Sequence, residues 1–242
     1  MRVVVVVPTY QEADNIVRFL PAVRAAVPDA DILVVDDNSP DGTGQLAEQL
    51  AAELGNIKVL HRSAKDGYGA ACRHGFSVAL DEGYDVVVSM DVDFSHDPAA
   101  LPAFLDRIAA GADLVIGSRY VAGGGTLNWP LERRLLSRWG NRYTAGVLRL
   151  PVRDCTSGFR AYRGAALAAI DPASTSADGY AFLTEMVRRL VRSGFRVVES
   201  PILFVDRELG ASKMSGHIVR ESMLLVTRWG ARDLWRSLRR RG

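Results

Sequence analysis

Apolar and mostly β-branched residues dominate 3–7, 31–35, 57–60, 86–90 and 114–117, with Asp31, Lys58 and Ser89 the polar exceptions. Continuous runs, as opposed to alternating ones, mark strands buried on both faces of a parallel sheet. Between them the period becomes helical. Ile16, Phe19, Leu20 and Val23 fall on one face behind a cap at Asp14 or Asn15, and further helices are predicted over 43–54 and 67–79. Asp97-Pro98 is an N-cap and first-turn pair for a helix reaching about Ala110. Such β-α alternation predicts an α/β domain, its sheet mostly parallel and flanked by helices.

The second half is patterned differently. Residues 123–130 are Gly-rich and polar and read as a flexible segment; 131–150 reads as a helix carrying Arg133, Arg134, Arg138, Arg142 and Arg149. A compact polar turn over 154–160 precedes another helix, and 180–193 is an amphipathic helix with Glu185 among apolar neighbours, where it could buttress the core. Pro201 interrupts a strand over 197–205, which places that strand at an edge. The last helix, about 217–239, puts Val219, Met223, Val226, Leu234 and Leu238 on one side and Arg228, Arg232, Arg236 and Arg239 on another, with Trp229 and Trp235 at the flanks. No repeat, low-complexity segment or linker interrupts the chain. One domain is expected over 1–215, followed by a basic amphipathic helix over 216–242.

Composition narrows the partners. The 242 residues are 48% hydrophobic and 24% charged, ordinary for a soluble globular protein, and a net charge of +2 is too small to argue for nucleic acid. Cys72 and Cys155 stand alone, which excludes a disulfide framework or cysteine zinc site and fits a reducing compartment. No run approaches the ~18 apolar residues of a membrane span. The first apolar run is too short for a signal sequence, so a cytosolic protein is expected.

The strand over 86–90 ends in Asp91-Val92-Asp93. A strand buried on both faces cannot keep charge in its middle, so both carboxylates belong where the chain leaves the sheet, the edge at which open α/β sheets bind ligands. The strand over 31–35 delivers Asp36-Asp37 to the same edge. Two carboxylates there can hold a hard divalent cation whose other positions go to water and phosphates; the plainer alternative is that Asp93 only opens a turn. The first strand-to-helix turn, Pro8-Thr-Tyr-Gln-Glu, lacks G-x-G-x-x-G, and no P-loop occurs anywhere. Hydride transfer and P-loop phosphoryl transfer therefore drop out. Asp37 is placed to accept hydrogen bonds from a base or ribose, Tyr10 to stack on a base, and Asp91 and Asp93 to bridge a diphosphate through a metal. Together they suit a nucleoside-diphosphate donor whose leaving group needs charge neutralisation.

Seven motifs then recur in a telling order: Pro8-Thr-Tyr-x-Glu12, Val35-Asp-Asp-Asn-Ser-Pro-Asp-Gly-Thr43, Asp91-x-Asp93, Ser95-His-Asp-Pro98, Gly117-Ser-Arg-Tyr120, Ser157-Gly-Phe-Arg160 and Val205-Asp-Arg207. With them the chain resembles the inverting GT-A glycosyltransferases of family 2, in particular polyprenol-phosphate (dolichol-phosphate) mannose synthases, to about Ser215. The resemblance implies a GT-A, Rossmann-like fold. It implies that Pro8, Tyr10, Glu12, Val35 and Asp37 bind the guanosine part of GDP-mannose, that Asp91, Val92 and Asp93 also contact the donor nucleotide, with Asp91 and Asp93 holding Mg²⁺ or Mn²⁺ on the diphosphate and Ser95 nearby, and that Arg119, Arg207 and Lys213 surround the donor and the two phosphate groups. Residues 120–138 match an acceptor loop in which Arg133 and Ser137, with Arg119, bind the lipid phosphate. Val92, Phe94, Ser95 and Leu183-Thr184 depart from the residues usual in relatives, and Ser95 as a metal ligand is the assignment this touches.

The implied reaction is transfer of mannose to a polyprenyl phosphate, giving the β-mannosyl phosphate by a single inverting displacement. A phosphate monoester is already anionic at neutral pH, so no general base is required, and His74 and His96 read as structural. Two other readings stay open at this point: a polyprenyl-phosphate glucosyltransferase using UDP-glucose, and a non-catalytic sugar-nucleotide-binding subunit. Some relatives carry C-terminal transmembrane helices for which this chain ends too soon. Peripheral attachment to the cytoplasmic face of the membrane through the C-terminal helix, or a membrane-anchoring protein partner, is implied. The plain alternatives are a C-terminal helix packed on its own domain, and Arg133, Arg134 and Arg138 forming one solvated face.

Overall fold

The computed structural model describes residues 1–206 and 216–239. In chain order the first half runs β1 (Val3–Thr9), α1 (Ala13–Ala26), β2 (Asp31–Asp36), α2 (Thr43–Leu54), β3 (Ile57–His61), α3 (Tyr68–Asp81), β4 (Val86–Ser89), α4 (Leu101–Ala109) and β5 (Leu114–Ser118). The second half runs β6 (Gly125–Leu127), α5 (Leu131–Leu148), β7 (Arg160–Arg163), α6 (Gly164–Ala169), α7 (Gly179–Arg192), β8 (Val197–Pro201), β9 (Leu203–Val205) and α8 (Gly216–Arg239). The five apolar runs are β1 to β5, and all of them but β3 are buried almost throughout. A sheet covered by helices on both sides removes both faces of its strands from water, which is why those runs do not alternate.

The seven-stranded sheet has the order β3-β2-β1-β4-β7-β5-β8, every pairing parallel except those of β7. The chain builds outward from β1 through β2 to β3, then crosses back so that β4 lies on the other side of β1. Between β1 and β4 the order reverses, leaving a crevice at the carboxyl ends of both strands. Because β7 runs antiparallel, with Arg160 opposite Ser89 and Ile116, the loop entering it also lies at that edge. One apolar layer, including Phe19, Leu20, Phe104 and Phe159, packs one face of the sheet; another, including Phe76, Tyr162, Phe182 and Met186, packs the other.

Several boundaries differ from those expected. Glu12, not Asp14 or Asn15, occupies the N-cap of α1, and Asp14 lies in the first turn. Asp97 does cap the turn at Pro98, accepting from the Ala99 N–H at 2.9 Å. The polar turn over 154–160 leads first into β7 and only then into a helix. The 123–130 segment contains β6, which pairs with β9 in a small second sheet. Pro201 splits the expected 197–205 strand between the two sheets, and β8 does form the edge of the large one.

The final helix α8 packs on the domain. Val226 is buried, Tyr143 Oη and Thr227 Oγ1 lie 2.8 Å apart, and Asp233 pairs with Arg188 and Arg192 of α7. Leu234, expected on the same side as Val226, is instead exposed with Leu224 and Trp235. No helix among the described residues is long and apolar enough to cross a membrane.

Candidate active site

A cavity of about 410 Å³ opens over the β1/β4 crevice. Its floor is the end of β4. Asp91 presents a side chain 37% exposed, while Asp93 is buried. Phe94 takes a left-handed backbone, φ 57°, which is costly for an aromatic residue. That turn folds the chain back so that the Ser95 N–H and hydroxyl both donate to Asp93 Oδ1, at 3.1 and 2.5 Å. Phe19 receives the Phe94 ring edge-on at 5.6 Å. Apolar packing thus stabilises the turn that orients a carboxylate.

His96 completes this corner. It is buried against Phe159, with ring centroids 5.2 Å apart, and its Nδ1 accepts the Asp91 N–H at 3.2 Å. Burial pushes its pKa down to about 4, against the opposing pull of Asp93. A neutral ring whose Nδ1 is an acceptor positions the Asp91 backbone, so the 3.7 Å approach to the Asp91 carboxylate is not an ion pair.

The β1 and β2 ends form the next wall. Pro8, Tyr10, Glu12 and Asp37 all line the cavity. Gln11 also has a left-handed backbone, φ 58°, held by its N–H to Ser39 Oγ at 3.1 Å and by the Glu12 N–H to Thr43 Oγ1 at 2.9 Å. The Lys65 ammonium sits 3.7 Å from the Tyr10 ring centroid. Asp37 pairs with Arg62; burial raises its pKa and Arg62 opposes that rise. Asp36 serves the fold instead, accepting from the Ser39 hydroxyl at 2.5 Å.

Arg119, just beyond β5 and buried, lines the same cavity. Its Nε and Nη2 donate to Asp154 at 2.7 Å each, and Nη2 also reaches Thr156 Oγ1 at 2.8 Å. Burial disfavours its charge, but Asp154 outweighs that and keeps the guanidinium ionised. Among the described residues Nη1 takes no hydrogen-bond partner, which leaves it able to meet a ligand. Arg133 stacks over Trp129, 4.1 Å from its ring, and pairs with Asp206 at 2.8 Å.

A glycosyl transferase family 2 profile matches residues 4–170. The chain belongs to glycosyl transferase family 2. It is 50% identical over 241 residues to the undecaprenyl-phosphate mannosyltransferase of Micrococcus luteus, covering 100% of this chain and 99% of that protein. It is 48% identical over 232 residues to the polyprenol monophosphomannose synthase of Mycolicibacterium smegmatis, covering 96% and 88%. Among solved structures, the mannosyltransferase PcManGT of Pyrobaculum calidifontis in complex with GDP-Man and Mn²⁺ superposes with a TM-score of 0.62 at 19% identity, covering 97% of this chain and 64% of that one. The architecture is the GT-A fold of this family, and the protein is a glycosyltransferase.

In this family-2 enzyme the residues fit a divalent ion bound with its substrate. Among the described residues no cluster of three His, Cys, Asp or Glu is built to hold a metal alone. Two hard carboxylates facing an open cavity suit an ion whose remaining positions go to phosphate and water. Gly158 keeps that space clear: a Cβ there would lie 3.4 Å from both Asp91 carboxylate oxygens and 2.9 Å from Tyr68 Oη. Among the described residues Trp129 Nε1, Ser157 Oγ and Arg133 Nε are buried without a hydrogen-bond partner, and their residues all line the cavity. Each unmet donor costs about 1–3 kcal/mol, a cost that a polar ligand removes.

The cavity gathers Pro8, Tyr10, Glu12, Asp37, Asp91, Val92, Asp93, Ser95, Arg119 and Arg133. Val35 is not in it. That residue is wholly buried within β2, in register with Pro8. Ser137 lies outside this cavity too, in an adjoining hollow, where it accepts the Tyr120 hydroxyl proton at 2.6 Å. Arg207 and Lys213 lie outside the described residues.

Sequence reasoning passed over Asp154, which anchors Arg119, and Asp178, which accepts the Gly69 N–H at 2.5 Å. Only the dense polar turn over 154–160 hinted at the first. Its loop is fixed by Arg160, fully buried and donating to the carbonyls of Cys155, Ser157 and Leu183. Glu185 pairs with Arg189 at 2.7 Å and buttresses the core, as one reading of the sequence had it.

Proposed function

We propose that this glycosyltransferase moves mannose from GDP-mannose to a polyprenyl phosphate, with inversion to the β-mannosyl phosphate. The observation that carries the reading is the meeting in one cavity of Asp91 and Asp93 with Arg119 and Arg133. The acids suit a metal-bound diphosphate, and the arginines suit a second anion brought against it. The names of the two curated relatives supply the chemistry of that second anion, a polyprenyl phosphate, and the PcManGT complex supplies a precedent for GDP-mannose.

Asp91 and Asp93 would hold Mg²⁺ or Mn²⁺, which when bound neutralises charge on the departing diphosphate. Pro8, Tyr10, Glu12 and Asp37 take the guanosine, with the Val92 backbone alongside the diphosphate. Arg207 and Lys213 are assigned to the donor phosphates from the family motif. Arg119 Nη1 and Arg133 bind the acceptor phosphate and hold one of its oxygens in line with the anomeric carbon. That oxygen is already anionic, so attack needs no proton removed, and a neutral buried His96 has no proton-transfer role. Positioning and electrostatic stabilisation carry the rate.

A lipid acceptor brings the enzyme to a bilayer. The exposed face of α5 suits that contact: Leu131, Leu135 and Trp139 recur every four residues, with exposed Arg134, Arg138 and Arg142 beside them. Leu224, Leu234 and Trp235 of α8 add exposed apolar groups. Interfacial helices combine these features, apolar groups in the acyl boundary and cations at the headgroups. Peripheral attachment through α5 and α8 together therefore replaces attachment through the C-terminal helix alone.

A donor panel against a short polyprenyl phosphate, with Mg²⁺ or Mn²⁺, tests the reading. Turnover of GDP-mannose and none of UDP-glucose is expected; preference for UDP-glucose would reject the donor assignment.

A further inference from the structure

Tyr68 opens α3 and lines the cavity. Among the described residues its Oη is buried without a hydrogen-bond partner. Its electrostatic neighbours include the Asp91 carboxylate and the Cys72 thiol one turn on, and a thiol is a weak partner. A buried hydroxyl left unpaired is a free-energy cost carried by the empty protein.

The residue is firmly held. The Gly69 N–H donates to Asp178 Oδ1 at 2.5 Å, and a Cβ on Gly67 would collide with the same carboxylate. Phe182 of α7 meets the Tyr68 ring edge-on, with centroids 6.5 Å apart. The start of α3 is thus pinned to α7 on both sides of Tyr68, which fixes the place of the hydroxyl.

That place adjoins a metal-binding carboxylate. A Cβ on Gly158 would lie 2.9 Å from Tyr68 Oη and 3.4 Å from both Asp91 oxygens, so hydroxyl and carboxylate border one small space that the glycine leaves open. Ser157 Oγ, next in the chain, is a second buried hydroxyl without a partner among the described residues. An anion in this space would meet Asp91 and two neutral hydroxyls. A neutral polyol suits it better, because its hydroxyls can both accept from and donate to those of Tyr68 and Ser157. A sugar bonded to a diphosphate held at Asp91 and Asp93 is such a polyol, tethered beside the space.

We propose that Tyr68 Oη hydrogen-bonds the hexose of the donor and sets sugar specificity. The assignment rests on the nucleotide-sugar donor proposed above and adds a residue that reads the sugar itself. A donor lacking the matching hydroxyl leaves Tyr68 Oη buried and unpaired, the situation in which a polar site discriminates most sharply.

Tyr68→Phe removes the hydroxyl and keeps the ring. Because that oxygen has no partner in the empty protein, the urea midpoint should stay level or rise; a hydroxyl that served the fold would lower it. Calorimetric titration with Mn²⁺ and no acceptor should show GDP-mannose binding about five- to tenfold weaker and GDP binding unchanged. Among GDP-mannose analogues that each lack one hexose hydroxyl, one should bind parent and Tyr68→Phe alike, which identifies the hydroxyl that Tyr68 meets. Unchanged binding of GDP-mannose, an equal loss for GDP, a lowered urea midpoint or the lack of any such analogue would overturn the proposal. The donor reading fails separately: should the parent prefer UDP-glucose, the same comparison made with UDP and UDP-glucose still decides the role of Tyr68.

Discussion

Asp154 grips Arg119 by two parallel hydrogen bonds of 2.7 Å, and both side chains are buried beneath the cavity. The pair is costly to desolvate and costlier to break, because removing one partner strands a charge. It fixes the cation that the acceptor phosphate is proposed to meet, and it does so from a loop 35 residues away in sequence.

Asp154→Asn should therefore cost about 3–5 kcal/mol of stability at neutral pH and lower turnover through Arg119. Burial alone would raise the Asp154 pKa, but Arg119 outweighs it and the net shift is downward. The unfolded chain then takes up the proton first as pH falls. The stabilisation is fully present above the ordinary carboxyl pKa of about 4 and is lost below it as the folded pKa is passed. Urea unfolding of parent and variant should show a difference that is large at pH 7 and shrinks toward pH 3.

Ser95→Ala should leave the fold intact and loosen Asp93. Losing an orienting partner of a metal-binding carboxylate weakens metal affinity by about 10–100-fold. Mn²⁺ titration in the presence of GDP should show that weakening, and a Thr at position 95 should restore most of it. An unchanged titration would mean that the 2.5 Å bond does not govern how Asp93 is held.

Asp91→Asn and Asp93→Asn each keep the shape and remove a charge. Turnover should fall at least about a hundredfold, the scale of several kcal/mol of lost charge stabilisation. Chelation of the parent enzyme should do the same and be reversed by Mg²⁺ or Mn²⁺. Turnover that survives either substitution would exclude the metal site.

Leu135→Glu with Trp139→Glu places two acids on a face where those side chains are 57% and 56% exposed. Sedimentation with anionic vesicles should drop about tenfold or more, while turnover of a short, water-soluble acceptor should hold. Retained vesicle binding would move the contact elsewhere.

Much of this was legible in the chain. Strands β1, β2, β4 and β5 announced themselves because both their faces are buried, and Asp91 and Asp93 were found because a charge cannot stay inside such a strand. β7 was not, since Arg160-Ala-Tyr-Arg163 has no apolar run and forms only because β4 and β5 stand on either side of it. Asp154 and Asp178 were missed for the same reason: their partners come from distant segments, and no local pattern encodes a pairing 35 or 109 residues long. Val35, taken up through the family motif, lies inside the sheet, and a position flanked by strand residues on both sides is where burial outweighs a motif.

The most direct test is the anomeric configuration of the product. Purified enzyme, GDP-mannose carrying ¹³C at the anomeric carbon, a short polyprenyl phosphate and Mn²⁺ should give a single mannosyl phosphate, read by its one-bond carbon–proton coupling. A β-linked product is predicted, since one anionic oxygen displaces the diphosphate from the opposite face. An α-linked product, or no lipid-linked mannose at all, would contradict the account.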